Sequence, residues 1–312
     1  TPFIIGSHST YRTGAMLEIG GMQPTRAEDH LDTVVLAQRG HVGVYVPEQI
    51  ATGRGPETFD TYLAQQFAWA YSMLQVLFQY APRYATRYGP RTALQFLFVQ
   101  TWYALWSLSM LALFATPAVL LVANRSMAAI PLGGFLLAYA PVAVTGLGIW
   151  WWSRLWFHPN GLRLSWRGIV LHVARWPVVL WALINVVFRV RRPYMITPKG
   201  TERGAGRPFN VRAHGPYLLL IALSLASAWW YVLLHGRSPA QGYLLYAMQG
   251  ACSMLLVFVV ALAQDLASLR AEGLRWRRAL TLRLKPLLVG AVAVALTGCT
   301  GVRSLPLIVQ AA

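Results

Sequence analysis

The chain has 312 residues, 56% of them apolar, and a formal net charge of +17. So apolar a composition excludes a single ordinary soluble domain and indicates a membrane protein with a polar part. Arginine carries nearly all the charge, since Lys199 and Lys285 are the only lysines. Its clusters at 153–192, 203–212 and 270–285 flank apolar runs, so they read as cytoplasmic loops facing anionic headgroups or a sugar nucleotide, and no nucleic-acid recognition motif is present.

Residues 1–90 read as mixed α and β. Phe3-Ile4-Ile5 is a short strand signal. Thr13–Ile19 is a short helix ended by Gly20-Gly21. Thr25 is placed to cap a helix with Glu28 and Asp29 in its first turn, where acids oppose the helix dipole, and with Leu31, Val34, Val35 and Leu36 as its apolar face. Gly43-Val44-Tyr45-Val46 reads as a strand stopped by Pro47, and Gly53–Pro56 as a loop. From Thr58 a helix runs to about Tyr80, its broad apolar face interrupted by Gln65, Gln66 and Gln75, as in a helix lying on a membrane surface.

The polarity changes near Thr92, which divides the chain into 1–90 and a membrane region over 91–312. The first long apolar run, about Thr92 to Ala123, exceeds a hydrocarbon core of about 30 Å and must be tilted or broken near Pro117. The second runs from about Ala128 to Trp152 and ends on the aromatic anchor Trp150-Trp151-Trp152. Residues 166–190 carry Arg167, His172, Arg175 and Arg189, with Pro177 inside the run, and fit an amphipathic interfacial helix better than a span. Spans follow at about Pro216–Leu234 and Tyr243–Ala263, then a basic segment with Arg270, Arg275, Arg277, Arg278, Arg283 and Lys285, then a last run over about Pro286–Thr300. The positive charges put the N-terminal part, 153–212 and 266–285 inside and the turns near Arg125 and Arg237 outside, provided 166–190 does not cross. Cys252 and Cys299 make neither a disulfide framework nor a metal spacing. The chain opens on Thr1 with no signal peptide and reads as part of a longer protein.

Three segments could carry chemistry. Asp29, with Glu28 beside it, is a carboxylate at a helix start. It suits a general base, and equally suits plain stabilisation of a helix N-terminus. Gly53-Arg54-Gly55-Pro56-Glu57-Thr58 precedes Gln65-Gln66-Phe67-Ala68-Trp69, where an exposed indole would suit the apolar face of a sugar or plain interface packing. Tyr194-Met195-Ile196-Thr197-Pro198-Lys199 lies in the basic loop at 191–212 and could equally be a Pro turn there.

Taken in order, these segments resemble the C-terminal part of a processive family-2 glycosyltransferase of the cellulose synthase type. Ala27-Glu28-Asp29 is similar to the family's Thr-Glu-Asp motif, Gln65–Trp69 to Gln-x-x-Arg-Trp, and Tyr194–Lys199 to the Phe-x-Val-Thr-x-Lys gating loop. The opening Gly6-Ser7-His8-Ser9-Thr10-Tyr11-Arg12 resembles its acceptor-site segment. One departure stands out: Ala68 replaces the motif's arginine and removes a cation that would meet the diphosphate.

The resemblance implies a fold class of mainly α membrane protein: the remnant of an α/β GT-A-like domain, then a multi-span helical channel with interfacial helices. It implies Asp29 as general base with Glu28 adjacent, Gln65, Gln66 and Trp69 in acceptor and nucleotide binding, and Tyr194, Ile196, Thr197 and Lys199 in a loop closing over the nucleotide. Tyr103, Trp106, Tyr139 and Trp150 become candidates for sugar stacking or for lipid contact. The implied activity is inverting polymerisation of a β-glycan from a UDP-sugar, UDP-glucose first, with export of the product through the inner (plasma) membrane; the implied partners are the donor, the growing glycan, the bilayer and accessory export subunits. Mg²⁺ or Mn²⁺ is implied for the intact enzyme, with ligands outside this chain, because none of the four aspartates stands as Asp-x-Asp. The 312-residue chain alone is expected to be inactive. A non-processive lipid-carrier glycosyltransferase and a non-enzymatic transporter or scaffold are the other readings.

Overall fold

A computed structural model describes residues 3–4, 6, 8–46, 53, 55–84, 87, 89–127, 131–157, 166–192, 209–235 and 238–311, with the backbone alone at 154–157. The described residues are mainly helical and contain no strand. The chain divides into two compact units, Thr1–Met110 with Arg175–Arg207 and Ala271–Gly273, and Leu111–Ala174 with Pro208–Arg270 and Leu274–Ala312.

The first unit begins with α1 (Thr13–Glu18) and α2 (Glu28–Gln38). Gly20 and Gly21, at φ +83 and +89, end α1 where a side chain would be strained. Glu28 and Asp29 do occupy the first turn of α2, but its N-cap is Ala27. Thr25 instead accepts from the Ala27 N–H at 3.0 Å, a local turn that stops one residue short of the helix. Leu31, Val34 and Val35 are buried as their spacing requires, in a cluster with Ala27, Val76 and Phe96.

Neither expected strand forms among the described residues. The Ile4 N–H bonds Thr33 Oγ1 of α2 at 3.0 Å, so its donor goes to a helix side chain rather than to a ladder, and Ile5 lies outside the described residues. Val44 and Val46 are 83% and 59% exposed, with no neighbouring strand to pair them.

Helix α3 (Phe59–Gln75) continues through a π-helical turn, Val76–Tyr80, into α4 (Ala81–Tyr84). Thr58 starts it with a reciprocal cap: its Oγ1 accepts from the Thr61 N–H at 3.3 Å, and its own N–H donates to Thr61 Oγ1 at 3.1 Å. Thr58→Ala is expected to cost about 1 kcal/mol, read as a lower melting temperature by circular dichroism. An unchanged melting temperature would mean that packing alone holds this end. That packing is against α8 (Trp176–Val187). Phe67, Ala70, Tyr71 and Leu74 of α3 meet Val179, Ala182, Leu183 and Val186 of α8, each set spaced i, i+3, i+4, i+7.

Six helical stretches are long and apolar enough to cross a membrane: α5 (Pro90–Ala123), Leu132–Ser153 of α6 (Leu132–Phe157), Trp166–Val187, α9 (Val211–Leu234), α10 (Tyr243–Ala271) and α12 (Leu284–Ala311). They support a multi-pass membrane protein. Pro117 does not break α5, which stays continuous over 34 residues, about 50 Å at the α-helical rise. Trp166–Val187, expected to lie on the surface, also qualifies by length and composition. It consists of α7 (Trp166–Ala174) and α8, with Arg175 between them as a single turn residue. Pro177 sits in the first turn of α8, where its missing N–H is no loss.

In the second unit, Asn210 caps α9 by accepting from the Ala213 N–H at 3.3 Å. Leu121, Ala228, Tyr231, Ala240, Leu244 and Ala247 form its core. Beside that core the Tyr231 hydroxyl meets Ser238 Oγ at 2.6 Å, and Ser238 bonds Asn124, which turns the chain at φ +50. The basic segment contains one more short helix, α11 (Trp276–Leu282).

Candidate functional site

The start of α2 is held by backbone donors. Asp29 Oδ2 accepts from the Gly6 N–H at 3.0 Å, and Oδ1 from the His30 N–H at 2.8 Å. A Cβ at Gly6 would lie 3.4 Å from both Asp29 Oδ2 and Glu28 Oε1, which puts this position directly against both carboxylates. Two segments singled out separately, the Gly6 stretch and Glu28-Asp29, are thus one constellation. Ser7 lies outside the described residues. Asp29 remains partly accessible, as a base that must reach a substrate requires.

One acid that the motifs did not mark sits one turn on. Asp32 is fully buried and accepts from the Gln23 N–H at 3.0 Å. Burial pushes its carboxyl up, with Glu28 and Asp29 adding to the effect. The same three carboxylates help burial raise the Tyr11 hydroxyl. The signal was legible in principle, because Asp32 stands on the apolar face between Leu31 and Val34.

His30 points the other way, stacked on Phe3 at 4.8 Å and 3.2 Å from Gln100 Nε2. Burial lowers its pKa to about 4, against the opposing pull of Asp29. A folded-state value below the unfolded one means that the unfolded chain binds more protons between about pH 6.5 and 4. Stability is therefore expected to fall by about 3 kcal/mol as pH drops through that window. Asp32 works against this, since its raised carboxyl gains a proton in the fold first. His30→Gln should flatten the acid-side loss in unfolding experiments, and an unchanged pH profile would rule out His30 as its source.

The aromatic-amide motif divides between two faces of α3. Phe67 and Tyr71 face α8, while Trp69 is 51% exposed on the far side. Among the described residues no hydrogen bond or ring contact joins Trp69 to Asp29. Gln65 is half-buried. Gln66 is buried, and its Oε1 accepts from Arg175 Nη1 at 2.9 Å. The Arg175 guanidinium also lies over the rings of Trp106 and Tyr103, at 5.1 and 5.9 Å. Two proposed sugar-stacking residues thus flank a cation, whereas Tyr139 and Trp150 are exposed on α6.

The chain leaving α8 is pinned to both motifs. Arg189, at φ +53, caps the helix, with the Val190 N–H reaching back to Asn185 O at 2.8 Å. The Tyr71 hydroxyl donates to Val190 O at 3.0 Å, and Arg26 Nη2 donates to Arg192 O at 2.9 Å. Arg192 Nε donates to Asn185 Oδ1 at 2.7 Å, and its guanidinium lies over Phe67 and Trp181. Val190–Arg192, Arg26 just ahead of Glu28-Asp29, and Phe67–Tyr71 therefore meet. Tyr194, Ile196, Thr197 and Lys199 lie outside the described residues. Sequence reasoning missed Arg26, Arg175 and Arg192 as members of this group, because a lone arginine near an apolar run looks like any loop cation.

Among the described residues no three of His, Cys, Asp and Glu come together as metal ligands. The ligands of the divalent cation that the resemblance implies are expected outside this chain. Comparison with family models, with curated proteins and with solved structures gives no match for this chain.

Proposed function

We infer that this chain is the acceptor-side and membrane portion of a membrane-bound family-2 glycosyltransferase that extends a β-glycan from a UDP-sugar, UDP-glucose first, and passes it across the membrane. The observation that carries this reading is the meeting of Arg26, the Phe67–Tyr71 stretch and Val190–Arg192. It draws together Phe67 of the aromatic-amide segment, the arginine just ahead of Glu28-Asp29 and the stretch that leads toward Tyr194–Lys199. The first 90 residues would represent the end of a GT-A-like domain.

In the proposed step Asp29 takes the proton from an acceptor hydroxyl. The oxygen attacks the anomeric carbon from the face opposite the diphosphate, the glycosidic bond forms, and UDP leaves with the bonding electron pair. The Gly6 and His30 N–H groups fix the carboxylate. Trp69, standing out from α3, would stack on the acceptor ring. Arg26, Arg175 and Arg192 are cations in the same unit that could offset the loss at Ala68.

In this reading residues 1–90 and the basic loops would face the cytoplasmic side of the plasma membrane, as the positive-inside pattern favours, with Trp166–Val187 at its inner surface rather than across it. A transporter reading draws on the buried Asp265–Arg283 pair in the helical region.

Membranes containing the intact protein, supplied with labelled UDP-glucose, UDP-galactose or UDP-N-acetylglucosamine, separate these readings. Incorporation of label into polymer supports the synthase. A single labelled lipid-linked sugar supports the lipid-carrier transferase. No transfer from any of the three donors would overturn both.

A further inference from the structure

The segment joining α10 to α12 has a composition that the catalytic reading does not use. Between Leu266 and Lys285 stand Arg270, Arg275, Arg277, Arg278, Arg283 and Lys285, against the one acid Glu272. Two of these cations are engaged within the fold. Arg283 is buried and paired with Asp265. Arg270 donates to Leu274 O and stacks over Trp276 at 5.1 Å.

The remaining four, Arg275, Arg277, Arg278 and Lys285, are exposed, and none forms an ion pair among the described residues. Their scaffold is ordered. Gly273, at φ +90, stops α10, and the Leu274 N–H caps it by bonding Leu269 O at 3.2 Å. Leu269, Leu274 and Ala279 then pack together, turning the buried side of α11 inward. Arg277 and Arg278 fall on the side of α11 away from Ala279. Trp276 and Leu280, four residues apart, are 54% and 42% exposed on its flank.

Cations flanked by an exposed tryptophan and leucine suit a segment lying in a headgroup layer. The chain leaves it at both ends through helices long and apolar enough to cross a bilayer, so it is held at headgroup depth. We propose that the turn from Arg275 to Lys285 is a binding site for anionic phospholipid headgroups, with Arg275, Arg277 and Arg278 as phosphate ligands and Trp276 and Leu280 inserted beside them. Guanidinium groups favour this partner because their paired donors match phosphate oxygens, and four exposed like charges outnumber the one nearby acid, Glu272, and repel one another until an anion screens them. The inference does not rest on the transferase reading. It needs only that α10 and α12 are embedded.

The test uses the 312-residue chain purified in a neutral detergent and titrated with dioleoylphosphatidylglycerol or dioleoylphosphatidylcholine, with bound lipid counted by native mass spectrometry. Phosphatidylglycerol should be preferred. The triple variant Arg275→Gln, Arg277→Gln, Arg278→Gln should lose affinity for it on the order of a hundredfold with phosphatidylcholine binding unchanged. A matched triple, Arg39→Gln, Arg83→Gln, Arg91→Gln, should keep the preference. Equal binding of the two lipids by the wild-type chain, or an undiminished preference in the first triple, overturns the site. Displacement of the lipid by inorganic phosphate at equal concentration overturns the lipid assignment in favour of a soluble anion. If the first triple does not fold, the wild-type preference must still fade as salt rises, and salt-insensitive binding overturns the proposal.

Discussion

Asp29→Asn is expected to lower sugar transfer in the intact enzyme by about 10²–10⁴-fold, the range that a positioned general base supplies. The change is small in every other respect. Asn keeps one acceptor oxygen for the Gly6 or His30 N–H, so at most one of these bonds is lost, and stability should fall by only about 1 kcal/mol. A steady-state assay paired with a melting curve therefore separates a catalytic loss from an unfolding loss. Trp69→Ala supplies the companion result. The indole is half-exposed, so truncation should leave stability within about 0.5 kcal/mol while raising the KM for the acceptor more than it lowers kcat. Full transfer by both variants would remove Asp29 and Trp69 from the mechanism. Loss in Asp29→Asn alone would keep the base and discard the stacking role.

The second large effect is in the helical region. Arg283 is almost wholly buried and is bound through Nε to Asp265 Oδ2, with Nη2 3.5 Å from Oδ1. Removing either partner leaves an uncompensated charge in an apolar setting. Asp265→Ala or Arg283→Met should each cost about 3–5 kcal/mol, visible as a large drop in the thermal midpoint of the detergent-solubilised chain. The double replacement Asp265→Leu with Arg283→Met removes both charges and should recover most of that loss, because a well-packed apolar pair is often as stable as a buried ion pair. Additive losses in the double variant would show that the two side chains act independently. The result also bears on the transporter reading: an ion pair kept for architecture tolerates joint replacement, and one on a transport path does not.

How far these features could be read from the residues differs by element. Helix α2 and its buried face followed from the 3.6-residue spacing of Leu31, Val34 and Val35, because burial on one side of a helix needs only local periodicity. The cap did not follow. The Thr25 hydroxyl is taken up by the Ala27 N–H in a local turn, so the N-cap position falls to Ala27, whose side chain has no acceptor to offer. The strand at Gly43–Val46 failed for a related reason. Alternation marks a chain able to join a sheet, but a strand exists only where a neighbour completes the ladder. Trp166–Val187 was read from its charges as a surface helix, and its length and apolar composition equally suit a span, because charge and hydropathy are separate sums over the same residues.

The sequence by itself determined the class: a basic, arginine-rich chain whose apolar runs are long enough to cross a bilayer, since hydropathy and length are sums over residues and need no coordinates. It also marked Asp29, Trp69 and the Tyr194–Lys199 segment, because resemblance is a property of order along the chain. Only the tertiary structure decided the neighbours. It put the Gly6 amide on Asp29, Arg175 on Gln66 and Arg26 on the Arg192 carbonyl, contacts that span 23, 109 and 166 residues. The Arg175 and Arg26 contacts depend on how α3, α8 and the chain leaving α8 pack, the Gly6 contact on how the N-terminal stretch lies on α2, and no local pattern encodes either.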